Sequence, residues 1–232
     1  MRPYERVLIV GAGSGLSASL ARLFASDGLR VGLAARDTEK LDALARETGA
    51  IVHACDATQA SEVEALFARI APALGGAPDV VIYNASGRLR GAIADLDPDR
   101  VAQSLMVSAH GGFLVAQAAA RRMLPARHGA ILFTGASASL KGHAGSAPFA
   151  MGKFALRGLA QSLSRELQPK GIHVAHFVID GIIRSATRPD PVDAPDSTLD
   201  PDVIAKAYRD VLRQERCAWT SEVALRPWLE RF

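Results

Sequence analysis

The fold class that this sequence predicts is α/β, a doubly wound parallel sheet of about seven strands flanked by helices on both faces, and three observations predict it. Short β-branched runs alternate with longer stretches of helical periodicity, as they do where crossover helices cover a parallel sheet. The first run passes through glycines 11, 13 and 15 into an amphipathic helix, in VLIVGAGSGLSASLARLFASDG. A length of 232 residues with 49% hydrophobic content supplies one well-buried core, so residues 1–232 read as a single domain.

The strands are expected at Arg6–Val10, Leu29–Ala35, Ala50–Ala54, Asp79–Tyr83, Ala130–Thr134, Ile172–Ile179 and, on a weaker pattern, Ala218–Leu225. Helical periodicity fills the gaps at Gly15–Asp27, Thr38–Glu47, Gln59–Leu74, Pro98–Leu124, Ser146–Gln168 and Pro201–Gln214. In such a sheet ligands bind beyond the carboxyl ends of the strands, where the strand order reverses. The segment 184–201, with Pro189, Pro191, Pro195 and Pro201 among many Asp and Ser, reads as a long loop: either a lid over the site or a solvated connection.

Composition excludes several classes of function. A net charge of +3 and a pI of about 9.1 come without the basic stripe of a nucleic-acid binder. The densest basic cluster, Arg121, Arg122, Arg127 and His128, straddles an expected helix end, where cations meet exposed carbonyls. Cys55 and Cys217 lie far apart without CxxC spacing, which suggests neither a disulfide framework nor a zinc site and fits a reducing cytoplasm. Charges interrupt every apolar run well before the roughly 20 residues that span a bilayer. The amino end enters a strand directly, with no cleavable apolar segment.

Glycines allow a tight turn and let backbone N–H groups reach a pyrophosphate at the positive end of a helix. Gly11, Gly13, Ser14, Gly15 and Leu16 are therefore expected to form a dinucleotide site of Rossmann type. The second strand ends in VGLAARD, so its tip offers Ala35 and Arg36 where an acidic residue would bind a free ribose 2′-hydroxyl. A guanidinium there pairs with a 2′-phosphate, with Ser14 as a second donor, and NADP(H) is expected over NAD(H).

With these residues in view, the chain resembles the short-chain dehydrogenase/reductase family along nearly its whole length. The family's glycine motif looks like Val10 to Ser17, with Ser17 in place of the last glycine. Its adenine-binding Asp resembles Asp56, followed by Ala57, in CDAT, and its NNAG resembles Tyr83-Asn84-Ala85-Ser86. Its PG turn beside the nicotinamide resembles Asp180-Gly181-Ile182-Ile183. The resemblance implies a bound nicotinamide nucleotide, a small-molecule substrate, and a homodimer or homotetramer formed through the helices Pro98–Leu124 and Ser146–Gln168. Ala118, Ala119, Ala155 and Gly158 would permit close approach of those helices.

In that family an Asn-Ser-Tyr-Lys set carries the chemistry. Carried over position by position, the Lys is Lys153, the Tyr position is Phe149, the Ser position falls on Ala136 with Ser137 and Ser139 nearby, and the Asn position falls on Ser108. Phenylalanine has no proton to give, and general acid catalysis contributes about 10²–10⁴-fold. Candidate substitutes are Ser137 as an oxyanion donor, Ser146 as a hydroxyl or merely a helix cap, and His143 as a titratable group or an exposed loop residue; His110 reads as a packing residue. Two readings stay open: an oxidoreductase with a modified proton donor, and an NADP(H)-binding module without turnover. At the carboxyl end, Trp219, Trp228 and Phe232 are expected to pack within the chain, or else to cover the sheet edge or a neighbouring subunit.

Overall fold

The computed structural model describes residues 3–185 and 187–229. Among them, seven strands form one sheet, all pairs parallel, in the order β3-β2-β1-β4-β5-β6-β7: β1 (Arg6–Val10), β2 (Arg30–Ala35), β3 (Ile51–Ala54), β4 (Val80–Tyr83), β5 (Gly129–Thr134), β6 (Ile172–Ile179) and β7 (Glu222–Leu225). The order reverses between β1 and β4, which places a crevice beyond the ends of those two strands.

Both faces of the sheet are buried, so the strands read as unbroken apolar runs rather than as alternating ones. Val7 and Ile9 join one core with α1 (Leu16–Ser26), α2 (Asp42–Thr48) and α7 (Pro201–Leu212). Leu8 and Val10 join the other, with α3 (Ala60–Ala73), α5 (Gly111–Met123) and α6 (Ala147–Leu167). An Asp-Pro pair starts two of the helices: Asp97 accepts from Arg100 N ahead of α4 (Pro98–Leu105), and Asp200 from Asp202 N ahead of α7.

The helix expected over Pro98–Leu124 is not continuous. A π-helical turn at Met106–His110 separates α4 from α5. The Tyr83 hydroxyl donates to the carbonyl of Val107 in that turn, and the missing side chain of Gly111 makes room, since a Cβ there would lie 2.5 Å from the hydroxyl oxygen. Burial raises the Tyr83 pKa, so the phenol stays a neutral donor.

Ala118 and Ala119 face the core, each 1% exposed, and cannot form an outer helix seam; Ala155 and Gly158 do lie on an exposed face, with Met151 and Phe154. The last strand starts four residues later than expected because Arg216–Ala218 forms a 3-10 turn and Trp219 stacks on His173, ring centres 4.6 Å apart. Trp219 thus packs within the chain, Trp228 is 77% exposed, and Phe232 lies outside the described residues. Arg121 and Arg122 pair with Glu64 near the end of α5, as solvated helix-end cations do.

At the opposite end of the sheet from the crevice, Asp79 accepts two bonds from the Arg6 guanidinium, both at 3.0 Å, and the backbone N–H groups of Glu5 and Arg6, both at 3.1 Å. Removing a buried partner of this kind typically costs 3–5 kcal/mol. Asp79→Ala, which strands the guanidinium and both amides, is expected to lower the unfolding free energy by about 3 kcal/mol in a urea titration.

Candidate functional site

The crevice is built by two loops that touch across the reversal point. Gly11 ends β1 at φ +85°, and a Cβ on it would lie 2.2 Å from Ala85 N, so a side chain is excluded by backbone conformation and by space alike. The N–H groups of Gly11 and Ala12 both donate to Ala34 O, at 2.9 and 3.0 Å, which ties the turn to β2. Asn84 Nδ2 donates to Ser17 Oγ at 2.7 Å, and Ser17 Oγ donates to Gly11 O at 3.3 Å. Ser17 is therefore the clip between the loop after β1 and the loop after β4.

Open space lies above this clip. Cβ atoms built on Gly13 and Gly15 would meet nothing within 4 Å. Ser14 and Arg36 are exposed, and Arg36 has no carboxylate partner within 4.0 Å among the described residues. Leu16 is buried and anchors the start of α1. Asp56 spends one carboxylate oxygen on Thr58 N and Thr58 Oγ1, at 2.9 and 2.8 Å, shaping the turn that carries Ala57 towards α3. Ala85 and Ser86 are half-buried, and Ser86 Oγ is a buried hydroxyl with no partner among the described residues. An open glycine cradle, an unpaired guanidinium and an orphaned hydroxyl on one crevice fit a dinucleotide.

Beyond that crevice, α6 brings Phe149 and Lys153 to the end of β5. Lys153 is 3% exposed and donates from Nζ to Thr134 O at 2.7 Å. Burial, helped by the positive charge of Arg88, lowers its pKa to about 7. The half-buried Phe149 ring has two cations near it: its centre is 5.5 Å from the guanidinium carbon of Arg88 and 5.9 Å from Lys153 Nζ.

Ser108, fully buried in the π turn, accepts from Gly87 N at 2.9 Å and packs where a Cβ on Gly152 would come within 2.6 Å. Its hydroxyl oxygen thus holds the loop after β4. Ser137 is half-buried and opens a 3-10 turn, and Ile183 pairs with Leu199 in a parallel bridge. Ser146 is buried at the start of α6, but its side chain makes no capping bond, contrary to the helix-cap reading. His143 is exposed. His110 is not a packing residue either: it is exposed and stacks beside Phe113, ring centres 6.3 Å apart.

Two features escaped sequence reasoning. Arg88 carried no motif. The other is a buried chain of polar groups behind the β5 loop: Ala136 N donates to Ser139 Oγ at 3.2 Å, Ser139 Oγ pairs with His176 Nε2 at 3.3 Å, His176 Nδ1 pairs with Glu222 Oε2 at 3.2 Å, and Arg157 grips Glu222 with two bonds at 2.7 and 2.8 Å. Arg157 keeps the Glu222 carboxyl below its ordinary range, which assigns the His176 proton to Nδ1 and leaves Nε2 to accept from Ser139. Gly135 is obligatory here, because a Cβ would lie 2.3 Å from His176 Nε2. A histidine inside an otherwise apolar strand was the available signal, since a buried polar group requires partners.

The geometry is that of a doubly wound α/β protein with an open glycine turn where the strand order reverses. The profile of the short chain dehydrogenase family matches residues 5–191, and the chain belongs to that family. An uncharacterized oxidoreductase of Staphylococcus aureus strain N315 is 29% identical over 227 residues, covering 95% of this chain and 96% of that protein. Short chain aldehyde dehydrogenase 1 of Euphorbia lathyris is 34% identical over 174 residues, which are 72% of this chain and 60% of that longer protein. Among solved structures, a short-chain dehydrogenase from Rhodopseudomonas palustris superposes with a TM-score of 0.83 at 35% identity, over 97% of this chain and 99% of its own. A metagenomic short-chain oxidoreductase in complex with NADP gives a TM-score of 0.83 at 28% identity, over 97% and 98%. No helix among the described residues is long and apolar enough to cross a membrane.

Burial lowers the His176 pKa to about 4 against the attraction of Glu222. Its unfolded-state value is about 6.5, so the unfolded chain binds the proton first. Stability attributable to this group is intact above that value and declines as pH falls towards 4, by up to about 1.4 kcal/mol per unit. His176→Gln is expected to lower stability at pH 7.5 and to flatten its slope between pH 6.5 and 4.5, measured by denaturant titration of both proteins.

Proposed function

We propose that the protein is an NADP(H)-dependent oxidoreductase acting on a small carbonyl compound, alcohol or activated alkene, with a proton donor other than tyrosine. The observation that carries this reading is the intact nucleotide half of the site: the glycine cradle clipped to Asn84 through Ser17, with Lys153 at the far end. Gly11, Gly13, Ser14, Gly15 and Leu16 would face the diphosphate, Arg36 with Ser14 the 2′-phosphate, Asp56 and Ala57 the adenine, Asn84, Ala85 and Ser86 the middle of the nucleotide, and Ile183 with Lys153 the nicotinamide end. Arg36, exposed and without a carboxylate, supports NADP(H) over NAD(H). Family membership and the NADP complex of a 28% identical neighbour support it too.

When bound, the nucleotide supplies or accepts hydride. The chain's own part is to relieve charge on the substrate oxygen. With a pKa of about 7, Lys153 populates both protonation states near neutrality and can give or take a proton where an ordinary lysine could not. Ser137, half-buried at the end of β5, adds a hydroxyl donor. Phe149 gives an apolar wall that excludes water and strengthens each of these interactions. The replacement of tyrosine by Phe149 is also the observation favouring a binding module without turnover. We assign the protein to the cytoplasm and to a homodimer or homotetramer, for which the exposed Met151 and Phe154 on α6 offer an apolar face.

NADPH is expected to quench protein fluorescence at least tenfold more tightly than NADH does, and Arg36→Ala to narrow that difference. NADPH oxidation should proceed slowly with some member of a panel of aldehydes, ketones and activated alkenes. Lys153→Ala should abolish it and Phe149→Tyr raise it by about 10²-fold or more. Tight binding without oxidation of NADPH by any of them would establish the module instead.

A further inference from the structure

We propose that the substrate bound beside Phe149 and Lys153 carries a carboxylate, and that Arg88 is its counter-ion. This rests on the oxidoreductase reading for what lies next to it, while the anion site itself is a property of this chain's own side chains. Arg88 follows Gly87, whose amide is held by Ser108 and whose carbonyl accepts from Ser104 Oγ at 3.1 Å, so its backbone is anchored on the substrate side of the crevice. From there the guanidinium reaches over the Phe149 ring at 5.5 Å, the ring that Lys153 approaches at 5.9 Å.

Among the described residues, no carboxylate pairs with the positive charge at this spot. Partial burial, together with Arg188 and Arg90, which lie near enough to repel it, disfavours the charged form of Arg88. No Asp or Glu oxygen lies within 4.0 Å of Arg88, Arg90 or Arg188 among the described residues. An arrangement that sets a guanidinium and a buried lysine within 6 Å of the centre of one ring, with Arg188 and Arg90 close enough to Arg88 to repel it, is complementary to an anion from outside.

The ligand's geometry follows from the two cations. A guanidinium offers a planar fork that matches a carboxylate with two parallel bonds. With the carboxylate on Arg88, a carbonyl one or a few carbons away points towards Lys153 across Phe149, which describes an oxo acid. Arg88 stays charged throughout and donates no proton; it binds the substrate and offsets charge that develops next to it. This gives the loss of tyrosine a chemical setting, because a site already rich in positive charge stabilises a developing oxyanion without a phenol.

Calorimetry on the full chain, with and without NADP+, tests this using 2-oxobutanoate and 4-oxopentanoate as probes, their neutral counterparts 2-butanone and 2-pentanone, and inorganic phosphate. At least one oxo acid should bind saturably and at least tenfold more tightly than the neutral ketones. Arg88→Gln should weaken it at least tenfold while leaving NADP+ affinity unchanged, Arg88→Lys should retain part of it, and Arg216→Gln on the far side of the fold should leave it intact. Equal binding of the neutral ketones, an undiminished Arg88→Gln, binding of phosphate alone, or no binding of either oxo acid overturns the proposal. Oxo-acid binding that persists while no nicotinamide nucleotide binds would overturn the proposed function and leave the anion site standing; the converse would remove only the anion site.

Discussion

The contact on which the site depends is the approach of the loop after β4 to Gly11, close enough that a Cβ on Gly11 would sit 2.2 Å from Ala85 N. Parallel strands β1 and β4 are neighbours that feed their chains to opposite sides of the sheet, so their ends splay and leave a gap. Ser17 closes the base of that gap by joining Gly11 O to Asn84. Ser86 lies on the same loop, and Gly87 links it through Ser108 to the π turn. A shift at Gly11 would therefore travel through the Asn84 loop into the helices that present Phe149 and Lys153.

The second constraint is electrostatic. Lys153 is buried against a backbone carbonyl, with no carboxylate within 4.0 Å among the described residues, so its charged form is disfavoured there. Beside it, Phe149 supplies only a quadrupole, a weak partner for a cation. This corner thus combines a lysine of lowered basicity, an aromatic wall and an arginine that has no carboxylate within 4.0 Å among the described residues.

Much of the fold was legible because the signals were local. Alternation of apolar runs with helical periods placed all seven strands, and the glycines between β1 and α1 marked the crevice. Motif spacing located Phe149, Lys153 and the asparagine loop. What sequence could not supply was long-range pairing. Nothing near residue 88 tells that its guanidinium meets a ring 61 positions later, and Ser139, His176 and Glu222 are spread over three elements that only the sheet order brings together. The break at Met106–His110 was hidden for the same reason, since the hydroxyl that takes up the freed carbonyl belongs to Tyr83 in another strand. Ser146 and His110 were misjudged because helix position alone does not say which way a side chain is turned.

The polar chain behind the β5 loop has a consequence for how such a protein changes over generations. Gly135 leaves the room that His176 fills, Ser139 and Glu222 satisfy its two nitrogens, and Arg157 neutralises Glu222. Exchanging any of the five singly brings a steric collision or leaves a buried polar group or a charge short of a partner, so substitutions there are coupled. A lineage that acquired this block has its β5 loop fixed from behind, and can let residues at the front of the cavity drift towards new ligands while the scaffold beneath them stays put.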